Sequence, residues 1–317
     1  MINKTLSRAK RNVKHLSVGR ADNCAFQLQQ LNMCNILARR NQSMHTQSFE
    51  NTVVIVTGAA SGIGRAIITA FVRAGAKGII ADLDKEWSHT VAEKLKAEGG
   101  DVIVSLTDIS QPDQVDIMLD SALDTWGHLD VFINNAGVGV HKEVVELTDA
   151  DWDHQINVQL RGSFLCSRAA ARQMITQNQG GRIINIGSTA AVNARTEAAP
   201  HCVSKAGIVM LTKVMALELG KHNITVNCVS PGLTNVSTVS RGGGATREYI
   251  DTFLNMVPLN RLAHPEEIAN MVMFLSSKEA EFITGQHIQV DGGYSAGKLA
   301  IRGPHHSTET YSINPHE

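Results

Sequence analysis

Several things are scarce in this chain of 317 residues. Its five cysteines (Cys24, Cys34, Cys166, Cys202 and Cys228) are odd in number and show none of the paired spacings of a metal site. A disulfide framework is therefore set aside in favour of free thiols in a reducing compartment. Nowhere do about 18 apolar residues run together, so no membrane-spanning helix is expected. Charge of one sign is also lacking. A net charge of −1 gives no general attraction to nucleic acid or to an anionic membrane, which leaves small molecules as the expected partners. Aromatics make up only 4% of the chain, and of its three tyrosines none precedes Lys205.

What is present is ordinary globular composition, 43% hydrophobic and 19% charged, enough for one large α/β domain. The charge is uneven. Residues 1–44 hold eight Lys/Arg against the single acid Asp22, a balance of +7 that leaves −8 for the remainder. Such an Arg-rich, acid-poor leader, taken as residues 1–49, reads either as a mitochondrial transit peptide or as an extended start with Met44 opening the true product. It has no long apolar core, so export is not expected; the location is cytoplasmic, or the mitochondrial matrix if the leader is a transit peptide. Residues 297–317 read as a polar tail.

Between them, over 50–296, short β-branched runs alternate with longer stretches of helical period, the mark of βαβ units. The runs are Val53–Val56, Gly78–Ala81, Val102–Val104, Val131–Ile133, Arg182–Ile186, Thr225–Val229 and Gln286–Val290. They predict an α/β fold: one Rossmann-type, doubly wound, parallel seven-stranded sheet with helices on both faces. Gly-rich residues 241–244 fall in a long connection and read as a mobile lid or as a plain surface loop.

The first strand runs into Thr57-Gly58-Ala59-Ala60-Ser61-Gly62-Ile63-Gly64 and then a helix. Glycines let the backbone turn tightly and approach a pyrophosphate, which the unpaired N–H groups of the helix N-terminus can hold. Asp82 closes the second strand 18 positions after Gly64. A carboxylate there accepts from both adenosine ribose hydroxyls and repels a 2′-phosphate. Ser61 adds no cation for such a phosphate, so NAD is expected rather than NADP.

These features together resemble the short-chain dehydrogenase/reductase family over roughly Asn51 to Ser295. Thr57, Gly58, Gly62 and Gly64 meet its T-G-x-x-x-G-x-G pattern; Asn134, Asn135, Ala136 and Gly137 meet its N-N-A-G signature. Asp108 stands where the family contacts adenine. Pro231-Gly232, Pro265-Glu266-Glu267-Ile268-Ala269 and Val290-Asp291-Gly292-Gly293 also match. The resemblance implies a nicotinamide-dependent oxidoreductase acting on a secondary alcohol or ketone, and a homotetramer or homodimer built through two long helices and the last strand. It also implies a catalytic Asn, Ser, Tyr and Lys. Ser188 matches the serine and Lys205 the lysine, which binds the nicotinamide ribose. The tyrosine's place, thirteen after the serine and four before the lysine, holds His201. The asparagine's place, seven after Trp152 and five before Phe164, holds Gln159; Asn157 is two positions too early. The family's threonine five after Pro231 is Val236 here, which leaves Thr234 or Thr238 to meet the carboxamide.

His201 and Lys205, four apart, share a helix face, and Pro200 suits that helix's first turn. The ammonium and the helix N-terminus both disfavour imidazolium. A neutral His201 is a competent general base for alcohol oxidation, with Ser188 holding the substrate oxygen and Gln159 carrying the relay water. The alternative is a catalytically weak or inactive NAD(H)-binding relative that kept the fold and lost the chemistry. Asn193 and Arg195 can meet a hydroxylated or anionic substrate, or serve only as loop residues. His141, His154, His222, His264 and His287 are scattered, so no metal is expected. Cys202 reads as a small core residue, and Ser188 lacks the G-x-S-x-G elbow of a hydrolase.

Overall fold

The computed structural model describes residues 48–236 and 246–298. Nearly all of the leader and of the tail, the 241–244 segment and Thr238 lie outside the described residues.

Seven strands form one parallel sheet in the order β3-β2-β1-β4-β5-β6-β7. They are β1 (Val53–Thr57), β2 (Lys77–Asp82), β3 (Val102–Leu106), β4 (Val131–Asn134), β5 (Gly181–Ile186), β6 (Ile224–Pro231) and β7 (His287–Val290). All seven expected runs are strands; in β1, β2, β4, β5 and β6 the apolar residues are buried on both faces, as suits a sheet covered on both sides, and β3 and β7 form the partly exposed edges. The chain steps outward through β1, β2 and β3, then returns to lay β4 against the other edge of β1. The order reverses there, and the crevice beyond the carboxyl ends of β1 and β4 is where an open α/β sheet holds a ligand.

Helices α1 (Gly62–Arg73), α2 (Lys85–Ala97), α3 (Pro112–Trp126), α4 (Asp149–Ile156), α5 (Gly162–Gln177), α6 (Ala199–Leu219), α7 (Arg247–Leu254) and α8 (Pro265–Ser276) complete the domain. Alternation along β1 divides the core into two layers. Val54 and Val56 join Ile67, Ile68 and Phe71 of α1 and Ile268 and Val272 of α8 on one face. Val53 and Ile55 join Met118 of α3, Leu165 and Met174 of α5 and Met215 of α6 on the other. Every one of these side chains is under 9% exposed, and burying each contributes about 1.5–3 kcal/mol before chain entropy is set against it.

Two local features place the site. Thr148 and Asp151 form a reciprocal capping box that starts α4, and Lys142 reaches Asp151 at 2.7 Å, tying the loop after β4 to that helix. Lys142 and Thr148 together hold the Asp151 carboxyl down at about 2. Between α4 and α5 the chain does not continue as an α-helix: Asn157–Arg161 form a π turn. One residue more per turn swings the side chains there off the regular 100° progression, and Gln159 is carried into the interior while Asn157 faces solvent.

Candidate functional site

The turn from β1 to α1 is built by close backbone approach. Gly58 adopts φ +65°, and a Cβ there would lie 2.9 Å from Ala136 Cα. A Cβ on Gly64 would lie 2.1 Å from the Gly58 carbonyl oxygen, so no side chain fits at either place. Asn135 locks the turn from the neighbouring strand, its Nδ2 donating to the carbonyls of Thr57 (2.9 Å) and Gly58 (3.2 Å). Thr57 answers by accepting from the amides of Asn135 (3.0 Å) and Ala136 (3.1 Å). Ser61 occupies the N-cap of α1 without turning its hydroxyl onto the first-turn amides, and no acid stands in that turn. An uncapped, positively polarised helix end behind a side-chain-free turn suits a pyrophosphate. These residues therefore fit a dinucleotide, with Gly62, Ile63 and Gly64 supplying the amides.

Asp82 is buried at the carboxyl end of β2 and shapes the same crevice. Its Oδ2 accepts from Ala60 N (3.0 Å) in the turn, and its Oδ1 accepts from Asp84 N (3.0 Å). The carboxylate is thus oriented by backbone on two sides. Asp108 accepts from both the amide (2.9 Å) and the hydroxyl (2.7 Å) of Ser110, which fixes the loop after β3. Beyond β6, Gly232 packs where a Cβ would be 2.8 Å from Asp291 Cα. Thr234 Oγ1 donates to the Gly232 carbonyl at 3.0 Å. Val236 reaches back across the crevice: a Cβ on Gly62 would be 3.3 Å from its Cγ1.

Four expected catalytic positions converge on α6. Ser188 follows β5 and accepts from Ala190 N at 3.1 Å, capping a short 3-10 turn that packs on α6. Lys205 is buried and its Nζ donates to the Ile186 carbonyl at 2.7 Å, pinning α6 to the end of β5. Burial brings its ammonium down to about 8, against the opposing influence of the Cys228 thiol. The π turn with Gln159 packs on the same helix. Gln159 Nε2 donates to the Val138 carbonyl and stands 3.4 Å from His201 Nδ1, while its Oε1 is buried without a hydrogen-bond partner among the described residues.

His201 is one turn from Lys205, with Pro200 in the first turn of α6 as expected. Its imidazole is held down at about 3, first by burial and then by the charges of Lys205, Arg195 and His141. The ring is neutral at physiological pH. The lowered value matches expectation, with burial as the largest cause and the Lys205 charge next. The amide nitrogen of Gln159 faces both the Val138 carbonyl and His201 Nδ1. Cys202 is half-buried rather than core.

One contributor, Gln155, had no signal in the sequence. Gln155 is fully buried and brackets the loop after β4, accepting from Val140 N (3.1 Å) and donating to the Val138 carbonyl (3.1 Å). His141 on that loop acts on His201. Across the cleft, Asn193 donates to Ser295 Oγ (2.9 Å), and Arg195 donates to Tyr249 Oη (2.9 Å) with its guanidinium 5.8 Å from the ring centroid. Tyr249, Phe253 and Tyr294 stack behind it. Among the described residues no carboxylate pairs with Arg195.

Comparison with known proteins agrees with this architecture. Residues 58–295 match the family model described as enoyl-(acyl carrier protein) reductase. The chain is 36% identical over 246 residues to (2S)-[(R)-hydroxy(phenyl)methyl]succinyl-CoA dehydrogenase subunit BbsD of Thauera aromatica, covering 78% of this chain and 97% of that one. It is 34% identical over 244 residues to 3-oxoacyl-[acyl-carrier-protein] reductase FabG of Thermotoga maritima, covering 77% and 98%. Among solved structures, a short-chain type dehydrogenase/reductase from Mycobacterium marinum superposes with a TM-score of 0.75 at 32% identity, over 79% of this chain and 98% of that one. A putative gluconate dehydrogenase from Agrobacterium tumefaciens gives 0.74 at 31%, over 78% and 97%. Such relatives point to a nicotinamide cofactor, NAD or NADP. With its seven-stranded parallel sheet, its dinucleotide turn and relatives matched over almost their whole length, the chain belongs to the short-chain dehydrogenase/reductase family of oxidoreductases.

Proposed function

We propose that this protein is an NAD(H)-dependent oxidoreductase of secondary alcohols and ketones in which His201 does the proton chemistry that the family gives to a tyrosine. The observation that carries the reading is the half-buried imidazole of His201, held well below its ordinary value, one helical turn from the buried Lys205 ammonium. When bound, the nicotinamide supplies a two-electron hydride acceptor. As the carbinol C–H bond breaks and C=O forms, the hydroxyl proton passes to His201 acting as general base, and Ser188 hydrogen-bonds the same oxygen. Lys205 would hold the nicotinamide ribose when the cofactor is bound, and its ammonium stands one helical turn from His201. An imidazolium in that setting is unfavourable, so the forward step is slow. The two-position departure from the family pattern also fits an NAD(H)-binding relative without turnover.

The choice of NAD rests on Asp82, whose buried carboxylate at the end of β2 is poised for ribose hydroxyls and repels a 2′-phosphate. Asp108, Asn135, Ala136, Gly137, Pro231, Gly232 and Thr234 would complete the cofactor's contacts. Arg195, whose partner among the described residues is the Tyr249 phenol, favours an anionic substituent on the substrate. A homotetramer or homodimer is supported by the exposed Val203, Met210, Val214 and Leu217 on α6 and Phe164 on α5, an apolar stripe of the kind that marks an association surface. Fluorescence titration with NADH and NADPH tests the coenzyme assignment: NADH should bind more tightly, and Asp82→Ala should narrow the gap. Tighter NADPH binding by the wild type would overturn the role given to Asp82.

A further inference from the structure

The tautomer of His201 is decided by its neighbours, because the ring nitrogen that carries the proton is set by the hydrogen bond the other nitrogen makes. The Val138 carbonyl receives two donors, Gln155 Nε2 at 3.1 Å and Gln159 Nε2. It therefore fixes which way the Gln159 amide faces. Turned over, Gln159 would set Oε1 against the Val138 oxygen, two acceptors with no proton between them. In the observed orientation Oε1 is buried and has no partner among the described residues, so a strong preference elsewhere must hold it there, and the Val138 contact supplies one. The same amide nitrogen lies 3.4 Å from His201 Nδ1, within reach of its second hydrogen. A hydrogen on Nδ1 would meet it donor to donor. His201 Nε2 makes no hydrogen bond among the described residues.

From this chain of contacts, Val138 oxygen to Gln159 amide to His201 Nδ1, we infer that Gln159 is a positioning residue that fixes His201 as its Nε2–H tautomer. The inference rests on the proposed role of His201 and deepens it. In the resting site the imidazole offers a substrate oxygen a hydrogen-bond donor, suited to a bound ketone. To take an alcohol proton, Nε2 must first be vacant, with the ring proton on Nδ1 and the Gln159 amide displaced. One net hydrogen bond biases that equilibrium by on the order of tenfold, so the base-competent form is the minor one and oxidation is slowed accordingly. Removing the Gln159 donor should release it.

Nitrogen-15 NMR of protein labelled at histidine, with the His201 signals assigned by their loss in His201→Gln, reads the tautomer at neutral pH without requiring turnover. Wild type should show a protonated Nε2 and a pyridine-like Nδ1. In Gln159→Leu both shifts should move toward the average of the two tautomers. Protonated Nδ1 in the wild type, or unchanged shifts in a folded Gln159→Leu protein, would overturn the inference. If Gln159→Leu does not fold, the wild-type spectrum alone decides. Activity separates the two proposals: an Nε2–H signal in a protein that oxidises no alcohol leaves the tautomer assigned and removes the catalytic role.

Discussion

His201 makes folding stability depend on pH in a way that can be isolated. In the unfolded chain its imidazole has the ordinary value of about 6.5; in the folded protein burial, with Lys205, Arg195 and His141 adding to it, holds the value at about 3. A group whose folded value is depressed lets the unfolded state take up protons that the folded state refuses. Its contribution is therefore fully present above pH 6.5 and is lost as pH falls from there toward 3. At pH 5.5, one unit below the unfolded value, the loss is about 1.4 kcal/mol relative to pH 7.5. Urea unfolding of wild type and His201→Gln at both pH values yields the double difference. His287 is also depressed, but it is present in both proteins and cancels. Wild type should lose about 1.4 kcal/mol more than the variant. Parallel losses would mean that His201 protonates normally in the folded protein, and the depression by burial and neighbouring charge would be refuted.

Two further substitutions probe the walls of the site. Gly64→Ala places a Cβ 2.1 Å from the Gly58 carbonyl oxygen and 2.5 Å from Asn135 Nδ2; the backbone must move, at a cost of about 1–3 kcal/mol or more, and calorimetric NADH binding should be lost even where the protein remains folded. Arg195→Gln should weaken binding of carboxylate-bearing alcohols to the NADH complex several-fold and leave neutral alcohols unchanged. Equal effects on both would remove the anionic preference.

The sheet was legible because its central strands are buried on both faces. Val53–Val56 is a continuous β-branched run, Arg182–Ile186 carries three isoleucines, and the glycines of the β1–α1 turn stand in an order that close backbone approach explains. Ser188, His201 and Lys205 were singled out by the family resemblance, and spacing added that His201 and Lys205, four apart, share a helix face. The surroundings of His201 were not legible. Nothing in residues 149–177 signals the extra residue per turn at Asn157–Arg161, because a π turn is a choice made by packing against α6 and the loop after β4. The carbonyl that orients Gln159 belongs to Val138, 21 residues away, and a backbone oxygen carries no sequence mark. The leading cause of the His201 depression, burial, likewise depends on how three loops close around one ring, whereas the Lys205 charge could be read from a four-residue interval.

The claim on which the account turns is that His201 exchanges a proton with the substrate oxygen. Its most direct test is the initial rate of NADH formation from secondary alcohols, measured for wild type and for His201→Ala after each is shown to bind NADH. The account predicts a slow wild-type rate that falls to background in the variant. An inert wild type, together with a rate gained when His201→Tyr is combined with Gln159→Asn, would contradict it.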